Sequence, residues 1–343
     1  MNYKKLLWQV PFLLLLIVGT VLIIRQQHDQ PYQHNKGAIF GTTYSITYQS
    51  GDDLHDEILA ELQRVDASLS MFNETSTISR INRNESVETD EMFNEVFTLA
   101  QKVSEETDGA FDMTVAPLVN AWGFGFKQGT PPTPHVIDSL RQLVGYKKVT
   151  LATSPGRQAV SIIKADPRIM LDGSAIAKGY GCDRVAKLLR RKDIKNYMIE
   201  IGGEVVTNGV NPNRVAWRIG VTKPQEEGSQ EGLQTILNVS DKAMATSGNY
   251  RRFYYKDGKK YAHTIDPKTG HPVQHSLLSA TVLAPSCAEA DAYATSFMVM
   301  GLQRSQELLK RHPELMAYLI YTDGQGNYAT WYSANMKEKI VQE

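Results

Sequence analysis

The sequence carries only two cysteines, Cys182 and Cys287, in 343 residues. Neither their number nor their spacing resembles a zinc site, and a disulfide-stapled scaffold needs more. Export from the cytoplasm would permit one bridge between them, which the sequence alone does not show to form. An excess of charge is missing as well, since 37 Lys and Arg balance 37 Asp and Glu. With no basic stripe and no interleaving of aromatic and basic residues, nucleic acid is not an expected partner. No internal repeat is visible. What remains is a length that can bury a substantial core in one large or two ordinary domains.

A long apolar run occurs only at the N-terminus, from Leu6 to Ile24, broken by Gln9, Pro11, Gly19 and Thr20 and preceded by Lys4 and Lys5. Its length is close to the roughly 20 residues that span a bilayer core. The small residues of a signal-peptide cleavage site are absent, because the run ends Ile23-Ile24-Arg25-Gln26. No cysteine follows it, which excludes lipid attachment of the bacterial lipoprotein kind. The expectation is an uncleaved transmembrane anchor over residues 6–24, with 1–5 inside and the remainder exported; the alternative is a buried core helix. Residues 25–36 read as a polar linker, and residues 37–343 as the globular part.

Within it, β-branched and aromatic residues from Phe40 to Tyr48 predict a strand. Leu54, Ile58, Leu62, Val65 and Leu69 predict a helix with one apolar face, and Phe93, Val96, Phe97, Ala100 and Val103 a second. Ser70 to Asn82 is too polar to read as core. Strand patterns then dominate, including a pair of arms flanking Asp257-Gly258, a strong hairpin signal. Pro285-Ser286 opens a helix that runs to Gly301, and a terminal strand pair is expected at Leu315 to Tyr321 and Tyr328 to Trp331. Irregular alternation of strands and helices argues for an α+β fold of mixed or antiparallel sheets with flanking helices.

Four features carry chemistry. Leu171-Asp172-Gly173-Ser174-Ala175-Ile176-Ala177-Lys178-Gly179-Tyr180-Gly181 reads as a strand end running into a helix capped by Ser174. Small residues around Lys178 would let a ligand reach the backbone, and a lysine at a helix start suits a phosphate; a capped surface helix is the plainer reading. Asp291 and Thr295 lie one helical turn apart, so their oxygens share a face. That pair favours a hard cation such as Mg²⁺ over zinc, with a carbonyl of the Ser174-Ala175 turn among the donors that could complete it; solvated side chains are the alternative. His263 leaves a strand before a sharp turn and is a candidate base or a structural histidine. Aromatics between glycines, Phe111 and Trp122-Gly123-Phe124-Gly125, read either as the wall of a flat-ligand pocket or as a packed loop.

The ordered blocks Phe40-Gly41-Thr42, Leu69-Ser70-Met71-Phe72, Ser79-Arg80-Ile81-Asn82, Gly109-Ala110-Phe111-Asp112, Asp172 to Tyr180, Gly202-Gly203-Glu204, Thr246-Ser247-Gly248-Asn249-Tyr250, His263 to Gly270 and Glu289-Ala290-Asp291-Ala292 with Thr295 together resemble the FAD:protein FMN transferases, the ApbE family. The resemblance covers about Gly37 to the C-terminus. It implies an enzyme that binds FAD, uses Mg²⁺ on the pyrophosphate and transfers FMN to a threonine or serine hydroxyl of an acceptor flavoprotein, releasing AMP. It also implies acceptors among the subunits of membrane electron-transport complexes. The expected location is the bacterial inner membrane, single-pass, with the catalytic domain facing the periplasm. Carried over by position, the metal ligands are Asp291, Thr295 and the carbonyl of Ala175. FAD contacts fall on Phe40, Phe72, Ala110, Phe111, Asp112, Asp172, Lys178 and the strand around Ile265, and His263 is the base. Phe40 and Phe72 stand where the family often has methionine and tyrosine, and both keep an apolar or aromatic surface. Attack by water would instead make the chain an FAD pyrophosphatase; a tethered flavin-binding protein without catalysis is the third reading.

Overall fold

The computed structural model describes residues 10–20, 30–85, 88–125, 131–153, 160–224, 232–249, 253–256 and 259–341. Residues 10–20 form a helix, α1. Among the described residues no helix is long and apolar enough to cross a membrane; 6–9 and 21–24 of the expected anchor lie outside them.

The chain continues through β1 (Tyr32–Ile39), β2 (Thr42–Gln49), α2 (His55–Leu69), α3 (Thr77–Asn82), α4 (Glu91–Glu106), α5 (Ala116–Ala121) and α6 (Pro134–Arg141). Next come β3 (Val149–Thr153), β4 (Val160–Lys164), α7 (Ala177–Arg191), β5 (Tyr197–Ile201), β6 (Glu204–Asn208), β7 (Arg218–Thr222) and β8 (Leu233–Asn238). The last elements are β9 (Lys242–Gly248), β10 (Phe253–Lys256), β11 (Lys259–Ala262), β12 (Leu277–Ala284), α8 (Cys287–Arg311), β13 (Met316–Thr322) and β14 (Tyr328–Tyr332). Eight strands make one sheet in the order β1-β2-β5-β6-β9-β12-β13-β14, and every neighbouring pair in it is antiparallel. The α+β expectation holds, with an antiparallel rather than mixed sheet.

Helices α7 and α8 cover one face of this sheet, with α2 and α4 packed against them, burying Phe93, Val96, Ile176, Tyr293 and Phe297 in one cluster with Ala280 and Val282. The other face is closed by the β7–β8 hairpin and the C-terminus, where Val221, Leu237 and Met336 meet Met244 and Ile320. A smaller cluster of Leu118, Trp122, Phe124, Ile137 and Ile265 forms beside the α5–α6 segment.

Several sequence expectations need correction. The linker was expected to reach Lys36, yet residues from Tyr32 pair in register with β2, Tyr32 opposite Gln49. An edge strand draws its pairing from backbone groups and needs no apolar pattern on its outer face. The strand expected from Phe40 starts at Thr42, because Phe40 and Gly41 take φ of 54° and 71° and make the two-residue turn of the hairpin. The stretch Ser70 to Asn82, read as too polar for core, includes α3, whose Ile78 and Ile81 are buried. Ile169 to Leu171 is not a strand: the Asn82 side chain donates to Leu171 O (2.9 Å) and accepts from Leu171 N (2.7 Å), standing in for a neighbouring strand. Ser174 does not cap α7, which starts at Ala177 with no side-chain cap; the Ser174 N–H donates instead to Asp172 Oδ1 at 2.7 Å. The Asp257-Gly258 turn lies outside the described residues, and its arms pair as expected, Phe253 opposite Ala262.

Helix α8 is centred behind the sheet and leaves helical space at Gly301, with φ 75° and ψ 178°. Ser286 caps it through the Glu289 N–H. Asp183 of α7 reinforces that start, accepting from the N–H groups of Cys287 (2.8 Å) and Ala288 (2.9 Å). Burial pushes the Asp183 carboxyl up to about 6 against those two donors. Asp183→Ala would leave two buried amides without their acceptor, a cost of about 1–3 kcal/mol. Thermal unfolding of the variant should show it, and a midpoint equal to wild type would mean water replaces the carboxylate.

Candidate active site

Eleven of the twelve residues singled out in the sequence line one cavity of about 370 Å³, at the ends of the central strands β6 and β9. Its apolar walls come from Phe72 on the loop after α2, Ala110 and Phe111 after α4, and Ile265 after β11. The twelfth, Phe40, lines an adjoining cavity of about 550 Å³. Met71, Phe72 and Ser174 border both, so the two form one long recess. Phe72 is 72% exposed, an aromatic ring presented to the recess mouth rather than buried in core. Trp122 is buried, stacked on Tyr261 at 5.5 Å and donating to Gly270 O, so it supports the wall from behind. Phe124 and Gly125 reach the cavity itself.

Where the helices α7 and α8 meet, the floor becomes polar. Asp291, 3% exposed, accepts from the Gly179 N–H at 3.2 Å. An uninterrupted helix would aim that N–H at the Ala175 carbonyl; its diversion to Asp291 releases this carbonyl from the helical ladder beside the cavity. One turn beyond Asp291, the Thr295 hydroxyl lies 3.2 Å from Ser247 Oγ of β9. Lys178 reaches the same corner, its ammonium 3.7 Å from Asp291 Oδ2, 3.4 Å from Glu204 Oε1 and 3.4 Å from Ser174 O.

The two glycines that follow Lys178 serve packing, while Ala175 lines the cavity. A Cβ on Gly179 would sit 2.3 Å from Cys287 O, and one on Gly181 2.7 Å from the Phe40 ring. Phe40 holds its left-handed turn conformation with that ring laid against Gly181. Both cysteines are buried with free thiols. Cys182 donates to Glu204 O, and Cys287 lies 3.6 Å from Val205 O and Met244 O.

The electrostatics of the corner follow from its inventory. Burial works against the Lys178 ammonium, and the carboxylates of Asp291 and Glu204 outweigh it, holding its pKa above the ordinary range. Burial raises Asp291, opposed by Lys178 and by the Gly179 amide. Burial also raises Glu204, helped by the Asp291 charge and opposed by Lys178. Two buried carboxylates share one ammonium, and burial answers the excess by pushing Glu204 up to about 8, toward its neutral form, so an added positive charge would be welcomed here rather than repelled. Glu204 Oε2 is buried and without a hydrogen-bond partner. Among the described residues no group of three or more His, Cys, Asp or Glu is placed to hold a metal ion. The donors here are a carboxylate, a hydroxyl and a backbone carbonyl instead, a hard oxygen set that suits Mg²⁺ and not zinc.

Asp112 and Asp172 line the cavity but spend much of their capacity on its scaffold. Asp112 accepts from Thr114 N, Thr114 Oγ1 and Tyr146 N, and burial still leaves it above the usual carboxylate range. His263 stands edge-on to Phe124, ring centres 6.4 Å apart. The next residue, Thr264, donates to Asn249 Oδ1 at 2.6 Å. Glu204 and Ser247 are the site residues to which sequence reasoning gave no role. The glycine pair ahead of Glu204 is the available signal: at φ of 63° and 102°, Gly202 and Gly203 turn the chain so that β6 starts at the cavity wall.

Comparison with known proteins places this arrangement. The chain is 37% identical over 303 residues to the FAD:protein FMN transferase of Haemophilus influenzae, covering 84% of this chain and 86% of that one. It is 37% identical to the enzyme of the same name from Vibrio cholerae, over 87% and 90% of the two chains. Among solved structures, the flavin transferase ApbE from Vibrio cholerae superposes with a TM-score of 0.80 at 34% identity, covering 90% of this chain and 99% of that one. The apo flavinyl transferase ApbE of Pseudomonas stutzeri gives 0.80 at 30% identity, over 90% and 97%. The ApbE family model matches residues 40–320, a span that holds six of the sheet's eight strands, β2 to β13 except for the last two residues of β13, both site helices and every residue of the recess, and this chain therefore belongs to the ApbE family.

Proposed function

We propose that the chain moves the FMN half of FAD onto a hydroxyl of an acceptor protein, and that it does so at the Asp291–Lys178–Glu204 corner. The observation that carries this reading is a flat-walled recess whose polar floor sets one ammonium between two buried carboxyl groups. Such a corner takes an anionic pyrophosphate only together with a cation. Mg²⁺ held by Asp291, Thr295 and the Ala175 carbonyl would neutralise charge on the pyrophosphate oxygens. Lys178 donates to a non-bridging oxygen, and Phe72, Phe111 and Ile265 give the flavin ring its apolar surface, with Phe40 at the far end of the recess. His263 takes the proton of the acceptor hydroxyl as its oxygen bonds to the FMN phosphorus, and the bond to the AMP oxygen breaks. Positioning and charge neutralisation are the main demands of phosphoryl-type transfer, and these side chains supply both. Water in place of the acceptor would give FMN and AMP by the same route.

Incubation of the protein with FAD, Mg²⁺ and an acceptor flavoprotein should give an acceptor band that fluoresces on a denaturing gel. Release of free FMN alone would turn the reading to the pyrophosphatase, and uncleaved bound FAD to a carrier. His263→Ala should depress transfer by about 10²-fold while FAD affinity stays within about threefold; equal loss of both would make the histidine structural.

The surroundings extend the proposal. Residues 6–24 anchor the chain in a bacterial inner membrane, with the recess facing the periplasm, where membrane electron-transport subunits present acceptor hydroxyls. The apolar run and its flanking Lys4 and Lys5 support this. Protease digestion of spheroplasts tests it: full protection of the domain would place it on the other side.

A further inference from the structure

Glu204 belongs to the corner but is given no step in the chemistry above, yet its side chain is 5% exposed and keeps one oxygen buried without a hydrogen-bond partner. Its other oxygen is 3.4 Å from Lys178, slightly nearer than Asp291 Oδ2 at 3.7 Å. The ammonium is thus suspended between β6 and α8 rather than closed onto Asp291. Without Glu204, Lys178 and Asp291 would form an ordinary one-to-one ion pair, and a cation reaching Asp291 would have to displace an ammonium already neutralising it. With Glu204 present, the ammonium has a second carboxyl group to lie against, so Asp291 is not closed into a pair of its own.

We propose that Glu204 is a positioning residue that draws Lys178 away from Asp291 and thereby sets the affinity of the corner for a divalent cation. This rests on the reading that Asp291 and Thr295 hold such an ion. Two substitutions then act with opposite sign. Glu204→Gln keeps the size of the side chain but releases Lys178 to Asp291, so cation binding weakens. Lys178→Gln removes the competing ammonium, so cation binding tightens even as the contact to phosphate is lost.

The test is calorimetric titration of Mn²⁺ into the FAD-free full chain in detergent, for wild type, Asp291→Asn, Glu204→Gln and Lys178→Gln. The expected result is one Mn²⁺ bound by wild type, none by Asp291→Asn, about tenfold weaker binding by Glu204→Gln and about threefold tighter binding by Lys178→Gln. A wild type that takes up no Mn²⁺, or an Asp291→Asn variant that binds like wild type, sinks the cation reading and this proposal with it. Loss in Asp291→Asn with wild-type binding in Glu204→Gln overturns the proposal and leaves the cation reading standing. Should Glu204→Gln fail to fold, Lys178→Gln decides: tighter binding upholds the competition, and unchanged or weaker binding refutes it. A merely structural Glu204 would lower the unfolding temperature without producing this pair of opposite shifts.

Discussion

Asp291→Asn is expected to lower FMN transfer by about 10³-fold at saturating FAD and Mg²⁺, the scale of losing a preorganised charge at a reacting phosphate. The carboxylate stands where three things converge: the Gly179 amide, the Lys178 ammonium and the face shared with Thr295. Asparagine preserves shape and can still accept from the Gly179 N–H, so the fold should survive. Lys178 would then pair with Glu204 alone, leaving the corner neutral and without attraction for a second cation. The predicted signature is a fall in kcat, a lost Mg²⁺ response and a thermal midpoint near wild type. Turnover within about threefold of wild type, with its Mg²⁺ response intact, would remove Asp291 from the reaction.

Gly179→Ala should be the most damaging single methyl in the site. In an open helix interior, alanine for glycine stabilises by about 1 kcal/mol, so the sign depends on what the methyl meets. Here it would lie 2.3 Å from Cys287 O, 2.6 Å from its carbonyl carbon and 2.9 Å from Ala288 N, all backbone at the capped start of α8. Backbone held by Ser286, Asp183 and the sheet cannot yield as a side-chain tip can. Relief requires α7 and α8 to separate, which costs about 3 kcal/mol or more. For a chain of this size each kcal/mol moves the midpoint by about 2–4 °C, so thermal unfolding should shift down by roughly 6–12 °C. Separation would also pull Lys178 from Asp291. Gly181→Ala is the contrast, since its neighbour is the Phe40 ring, which can rotate aside at about 1 kcal/mol. Equal midpoints for Gly179→Ala and wild type would mean that the helices are not in register at this contact.

These cases show which parts of the site are legible in a sequence. Asp291 and Thr295 announce themselves because a helix places every fourth residue on one face, a rule that needs no knowledge of the partner element. The hairpin arms around Asp257-Gly258 and the Ser286 start are equally local. Glu204 is illegible by the same standard: its meaning lies in its distance from Lys178 and Asp291, which stand on other elements. Small residues around Lys178 signal close approach without naming what approaches, because a glycine records missing volume and not the identity of its neighbour; at Gly179 the neighbour is the start of α8. Strand β1 escaped because an edge strand needs only a backbone to pair with, and the Leu171 backbone because a single Asn82 side chain replaces a strand. The recess is legible only piecewise. Its aromatic walls come from segments as distant as Phe72 and Ile265, and only their common boundary shows that they are one surface.

The strand order carries a consequence for how such a molecule is made. From β1 to β14, each strand that joins the eight-stranded sheet lies beside the member that precedes it in the chain. No strand has to insert between two that are already paired, so the sheet can grow from one edge as the polypeptide is delivered N-terminus first. The segments between β2 and β5 and between β9 and β12, which bring Phe72, Phe111, Lys178 and His263, are helices, hairpins and loops paid out along that growing edge. The corner of Lys178 and Asp291 closes only when α8 docks, so a chain interrupted before Asp291 would carry most of its strands and recess walls without that corner.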